Sequence, residues 1–313
     1  MSNEYVPIRV STLRGDQKID FDVFIKINDK FILYLKKGDS FEGDRLARLK
    51  AKKLKKMFIL PDYEESYRGY LTRNIEMAYD KNSGKSVQNR AEIIQGTQQS
   101  NTETVMDSPE NEAAYTEAKE GALKFANWLR SENEAFQHII SIENTDQSIG
   151  HHGVSVSSLS VALAKRLGWA DEKQLQLLTL GGLLHDFEHF HSGVHIGRPL
   201  SDFSAEDLKV YKEHPQKGGQ RVQDKKHFDQ TVINIIVQHE EFIDGQGYPN
   251  GLTEAKMDPL AVVCATANAL DRLVAFEGVP RAEAAKKLMI NSVGKYPLKY
   301  IQLLGEIMSS MKI

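Results

Sequence analysis

From residue 152 onward, five residues of this 313-residue chain have types and settings that could together hold metal ions: His152, His185, Asp186, His214 and His239. His185 and Asp186 are adjacent and follow the apolar run LLTLGGLL. An imidazole binds a first-row transition metal through nitrogen, and a carboxylate can bridge two ions. A lone His-Asp pair is a weak signal, because such an aspartate can simply cap a turn. Here it has company. His152 opens the helical pattern HGVSVSSLSVALAKRLG, His214 sits in EHPQKGG and His239 in IIVQHEEFIDGQGYPNGL. Each lies at the start or end of an apolar helical pattern, so all can converge at one end of a bundle. Leu177, Leu178, Leu180, Leu183 and Leu184 read as core. His138, His191, His195 and His227 read as surface or structural residues, with His195 on a loop facing the site.

The segments LLHDFEHF, EHPQKGG and QHEEFIDGQGYPNGL resemble the HD-GYP subgroup of the HD phosphohydrolase superfamily, over about residues 137 to 310. The resemblance implies an all-helical, metal-dependent domain that hydrolyses cyclic di-GMP to pGpG or GMP in bacterial second-messenger signalling. Residue by residue it implies the metal ligands His152, His185, Asp186, His214 and His239. Two further ligand positions are exchanged. Glu240 stands where the family has a second histidine, and Asn268, in ANALDRL, stands where it has an aspartate. One imidazole becomes a carboxylate while one carboxylate becomes an amide, so the charge of the site is preserved. Nitrogen and oxygen donors without a thiol suit two divalent ions, iron or manganese, with zinc also compatible.

The same resemblance makes Asp186 the bridging carboxylate at the reaction centre. His189 replaces a family lysine and is expected to act there too, on substrate phosphate when protonated or on metal when neutral. Ser148 replaces a glutamate that supports a third ion, which argues for two. The family's phosphate-holding Arg-Pro-Tyr stretch is AFEGVPR here, with Glu277 at the arginine position. Arg281 can substitute only if the loop shifts, and His189, Tyr248 and Arg281 are the substrate-binding candidates. Gly245, Gly247 and Pro249 form a turn in any case. Asp244 is expected to brace that turn by local backbone bonds, and Tyr248 either packs or lies near substrate. These departures keep a second reading open: a degenerate module that binds metal and nucleotide, or a protein partner, without turnover.

The elements that must position these residues give an α+β chain. A small N-terminal α/β domain (1–82) is followed by a linker (83–110) and an all-α helical-bundle domain (111–313). In the first, Val6 to Val10 and Met57 to Leu60 are strand-like. Phe21 to Ile27 and Phe31 to Leu35 alternate around Asn28-Asp29-Lys30 as a hairpin, and Gly43-Asp44 opens a helix. Lys81 to Glu110, rich in Ser, Asn, Gln and Gly, reads as the linker, with at most a short helix near Arg90 to Ile94. The strongest helical patterns are Val154–Leu167, Lys173–Leu184, Thr231–His239 and Leu260–Leu273. A net charge of −3 argues against nucleic acid as partner. The basic run from Arg45 to Lys56 is read as a solvated helix face. No apolar stretch reaches the ~18 residues of a membrane span, and no secretory signal is evident. One cysteine, Cys264, excludes an intrachain disulfide and fits a reducing cytoplasm. The expected partners are cyclic di-GMP or a related nucleotide, and a protein contacting the GYP loop or a regulatory N-terminal domain.

Overall fold

The computed structural model describes residues 5–311 apart from 16, 133 and 143–147. The chain divides into two compact units, one up to Ser100 and one from Asn101 onward.

The first unit holds an antiparallel sheet of β1 (Val6–Arg9), β2 (Val23–Ile27), β3 (Lys30–Leu35) and β4 (Lys56–Ile59), in the order β1-β4-β2-β3. Asn28 and Asp29 both take positive φ, 46° and 61°. That is the two-residue turn whose twist matches the strands it joins, and Asn and Asp tolerate it. Helices α1 (Arg45–Ala51) and α2 (Glu64–Tyr79) complete the expected α/β unit. Ile8, Phe21, Phe41, Met57, Ile59 and Tyr70 lie in its core. The basic run does not crowd one helix, since α1 stops at Ala51 and Lys56 already belongs to β4.

The linker reading of 83–110 is corrected by α3, which spans the 21 residues Val87–Asp107. Its polar composition suggested solvent, yet its polar groups find partners inside. The Arg90 guanidinium donates to the Ala78 carbonyl (2.6 Å) and Gln95 donates to Gln99 (3.0 Å). Ile93, Ile94, Val105 and Met106 are buried. Buried polar side chains that are hydrogen-bonded cost little, and composition alone cannot reveal the pairing.

The second unit is all helical among the described residues: α4 (Glu112–Ser131), α5 (Ala135–Ser141), α6 (Ile149–Arg166), α7 (Glu172–Leu184), α8 (Ala205–Val222), α9 (Gln230–Gln238), α10 (Pro259–Ala275), α11 (Arg281–Asn291) and α12 (Leu298–Ser310). Ser148, Asp171 and Ser204 cap α6, α7 and α8, each accepting from a backbone N–H three residues on. Ser148 thus serves as a helix cap. α7 packs against α4, α6 and α9, and α10 packs against α6 and α9. Leu178, Leu180, Leu183 and Leu184 are buried as expected.

Two contacts set how closely α6 meets α7. A Cβ on Gly153 would stand 2.5 Å from the Leu183 carbonyl oxygen, and one on Gly182 would stand 2.8 Å from Ser157 Oγ. Only glycine permits that approach, and it brings the His152 and His185 rings to a centroid separation of 5.0 Å.

Candidate metal centre

Each histidine of the expected set arrives from a different helix, and each is fixed by its Nδ1. His185 and His239 are the C-terminal caps of α7 and α9, where the last carbonyls lack helical partners. Their Nδ1 atoms donate three residues back, to Gly182 O (2.8 Å) and Ile236 O (2.9 Å). His214 repeats the pattern inside α8, donating to Tyr211 O. There the carbonyl is free because the residue four positions on is Pro215, which has no N–H to give it. His152 Nδ1 donates to the Asp271 carboxylate at 2.7 Å. A carbonyl or carboxylate can only accept, so all four imidazoles are held with a bare Nε2.

These four Nε2 atoms surround one carboxylate. Asp186 Oδ2 lies 3.6 Å from His152 and 3.5 Å from His185, while Oδ1 lies 3.3 Å from His214 and 3.5 Å from His239. Two three-residue groups result, His152–His185–Asp186 and Asp186–His214–His239, sharing only the aspartate. His214 Nε2 and His239 Nε2 face each other at 2.8 Å. Two bare lone pairs would repel at that distance, so a proton or a metal ion must sit beside them. His185 Nε2 and Asp186 Oδ2 are buried without a hydrogen-bond partner. The donor set, nitrogen and oxygen around a shared carboxylate, fits two divalent transition ions.

The electrostatics agree with that arrangement. Burial opposes ionisation of Asp186, but the imidazoles of His185, His214 and His239 hold its carboxyl well below the usual carboxylate range. Burial pushes His185 down to about 3, so it stays neutral and able to coordinate. Burial also works against a proton on His239, yet the Asp186 and Glu240 carboxylates win and raise it above the ordinary histidine value of 6.5. In the metal-free protein this raised group stabilises the fold fully below 6.5, and the contribution is lost as pH rises through the folded value. Metal competes for the same Nε2. Affinity for manganese, titrated calorimetrically from pH 5.5 to 8.5, should therefore rise by about tenfold per unit until His239 has lost its proton, then level off. A flat profile would contradict the assignment of His239.

Asn268 and Glu240 meet at this centre. Asn268 Oδ1 lies 3.1 Å from His152 Nε2, and its Nδ2 lies 3.4 Å from Glu240 Oε1. Glu240 falls outside both three-residue groups. Its carboxylate instead accepts from Tyr211 OH at 2.6 Å. Asp271 acts through His152. Its Asn variant would keep the shape and weaken the acceptor, so metal affinity should fall by about 10–100-fold with the fold intact. Titration of Asp271→Asn checks this.

The remaining site candidates divide. Tyr248 packs with Tyr211 and Phe276 against the centre, its N–H donating to Glu240 O (3.1 Å). Asp244 Oδ1 accepts from Gln246 N (2.9 Å), the local brace expected of it. His189 is not one helical turn beyond His185, because α7 ends at Leu184 and His189 lies on the 3-10 turn Phe187–Phe190. Its ring stacks on Tyr211 and lies 4.0 Å from the His214 ring, with Nε2 buried and unpartnered. Burial, then the neighbouring His214, push its pKa well below the usual histidine range, which favours the neutral imidazole. Arg281 is not brought to the centre, since its guanidinium donates to the Ile140 carbonyl. Nor is Glu277, which pairs with Lys287 at 3.3 Å. His191 and His227 bond to the carbonyls of Met106 and Pro109.

Sequence reasoning passed over three residues. Tyr211, on α8, stacks with the His189 ring and donates its hydroxyl to Glu240. Glu241, fully buried, takes Asn250 N and Leu252 N at 2.6 and 2.9 Å and ties down the GYP loop. Arg272, beside Asp271, holds its guanidinium over the Tyr211 ring.

Comparison with known proteins agrees with this geometry. The HD domain family model matches residues 135–296. Bd1817 of Bdellovibrio bacteriovorus, described as an HDG"Y"P protein, superposes with a TM-score of 0.93 at 60% identity, covering 98% of this chain and 100% of its own. The chain belongs to the HD domain family, in its HD-GYP branch. Among curated relatives, the cyclic di-GMP phosphodiesterase PA4108 of Pseudomonas aeruginosa is 26% identical over 191 residues, 55% of this chain and 46% of its own. The cyclic di-GMP phosphodiesterase PdeB of Borreliella burgdorferi is 22% identical over 174 residues, 50% of this chain and 45% of its own. This HD-GYP chain thus spans less than half the length of those two relatives.

Proposed function

We propose that this HD-GYP protein is a metal-dependent phosphodiesterase that hydrolyses cyclic di-GMP to pGpG or GMP. The observation that carries the reading is the Asp186 carboxylate, each oxygen of which faces two bare imidazole nitrogens. The relatives' named activity supports the substrate. His152, His185 and Asn268 would hold one ion, His214 and His239 the other, with Asp186 shared and Glu240 balancing charge. Iron or manganese fits these donors best. Such ions activate water and offset charge on phosphorus-bound oxygens. The chain's own residues do the rest. Asp271 holds the His152 proton at Nδ1, Tyr211 and Tyr248 hold Glu240 in place, and the neutral His189 offers a buried Nε2 to a ligand. Among the described residues no helix is long and apolar enough to cross a membrane, and we place the protein in the bacterial cytoplasm. The N-terminal unit is the regulatory or interaction domain in this reading.

One observation favours a second reading, a module that binds without turnover. Glu277 replaces the expected arginine and is engaged with Lys287. Incubation of the full chain with cyclic di-GMP and supplied iron or manganese separates the two. Appearance of pGpG or GMP supports the enzyme; tight binding with no product supports the module.

A further inference from the structure

Arg272 lies on α10 four residues after Asn268 and four before Phe276, so the three share one face of the chain as it leaves the helix. Its guanidinium carbon is 5.0 Å from the Tyr211 ring centroid and 5.2 Å from that of Phe276. Those rings rest on opposite sides of the centre. Phe276 is 4.9 Å from the His152 ring, and Tyr211 is 4.9 Å from the His214 ring. The guanidinium is therefore set between the two halves that share Asp186.

Arg198, Arg221 and Arg281 each donate to a protein oxygen: Asp207, Glu188 and Ile140 respectively. Arg272 does not. Among the described residues it has no hydrogen bond and no carboxylate in ion-pair range, although it is half-buried. Aromatic rings take up the faces of a guanidinium and leave its in-plane N–H donors free. Those donors are open to solvent and available to an anionic ligand. A planar fork of N–H groups matches the non-bridging oxygens of a phosphate.

We propose that Arg272 is the phosphate-binding residue of this centre, gripping the non-bridging oxygens of a phosphodiester or its product from between the Tyr211 and Phe276 rings. It takes over a task for which Glu277 is unsuited. The proposal rests on the reading of the centre as a two-ion phosphodiesterase site.

The test uses the metal-loaded full chain and inorganic phosphate as probe, with metal content measured in parallel. Arg272→Gln should bind orthophosphate at least about tenfold more weakly than wild type with its metal content unchanged. Arg272→Lys keeps a cation between the rings but loses the fork, and should fall in between. A Gln variant with wild-type phosphate affinity and unchanged metal would reduce Arg272 to packing and overturn the proposal. If the Gln variant fails to fold or to hold metal, Arg272→Lys decides: weaker phosphate binding supports the clamp and unchanged binding overturns it. Wild type that ignores millimolar orthophosphate also overturns it. Arg272-dependent phosphate binding without any turnover of cyclic di-GMP would uphold the clamp while removing the phosphodiesterase assignment.

Discussion

Asp186→Ala should strip both ions from the protein and lower turnover at least about a thousandfold. Losing a residue that only orients a ligand costs about 10–100-fold in metal affinity. Asp186 does more, because each of its oxygens faces a different pair of imidazoles. Without it, no shared carboxylate is left between the two groups of imidazoles to offset two divalent charges. The fold should survive. Leu178, Leu180, Leu183, Val232, Ile235 and Val263 fill the core beneath the site with aliphatic packing that needs no ion. Elemental analysis and the helical circular-dichroism signal report the two effects separately. Asp186→Ala protein that still carries its full complement of metal would place the ions elsewhere.

The second large effect concerns the exchanged pair. Glu240→His alone removes a carboxylate from the wall of the site and leaves Tyr211 OH without its acceptor, so metal affinity should fall by about tenfold or more. Asn268→Asp alone sets a second carboxylate 3.4 Å from Glu240. Two buried carboxylates that close share a proton, which metal must then displace, so the added charge yields little. In the double variant the new aspartate has no carboxylate neighbour at position 240 and is free to bind. It should hold metal at least as well as wild type. The coupling should be about 1–3 kcal/mol, the range for residues in one network. Metal titration of all four proteins reads it directly; additive effects would mean that the two residues do not share the site.

The parts of this site legible in the sequence were those whose signal is local. His185-Asp186, His152 and His239 stand at the edges of apolar helical patterns, and those edges became helix ends. The Asn28-Asp29 turn was legible because its residue types tolerate the backbone it needs. What escaped depended on partners far along the chain. α3 looked like a linker because the pairing of Arg90 with Ala78 cannot be seen in composition. α8, with Pro215 and two glycines inside it, is not among the strongest helical patterns of the sequence. In the fold, the proline frees the carbonyl that orients His214. The glycines lie against Ile236 and Val237 of α9, the helix that ends at His239. Arg272 escaped for a similar reason. Nothing local distinguishes a charge beside Asp271 from a guanidinium held between two rings that come from α8 and the end of α10.

The most direct test is anomalous diffraction from crystals of the full chain grown with manganese. Two peaks within about 4 Å of each other, one beside each oxygen of Asp186, are the expected result for ions sharing a carboxylate. A single peak, or two peaks that leave Asp186 uncoordinated, would contradict a dinuclear centre at this position.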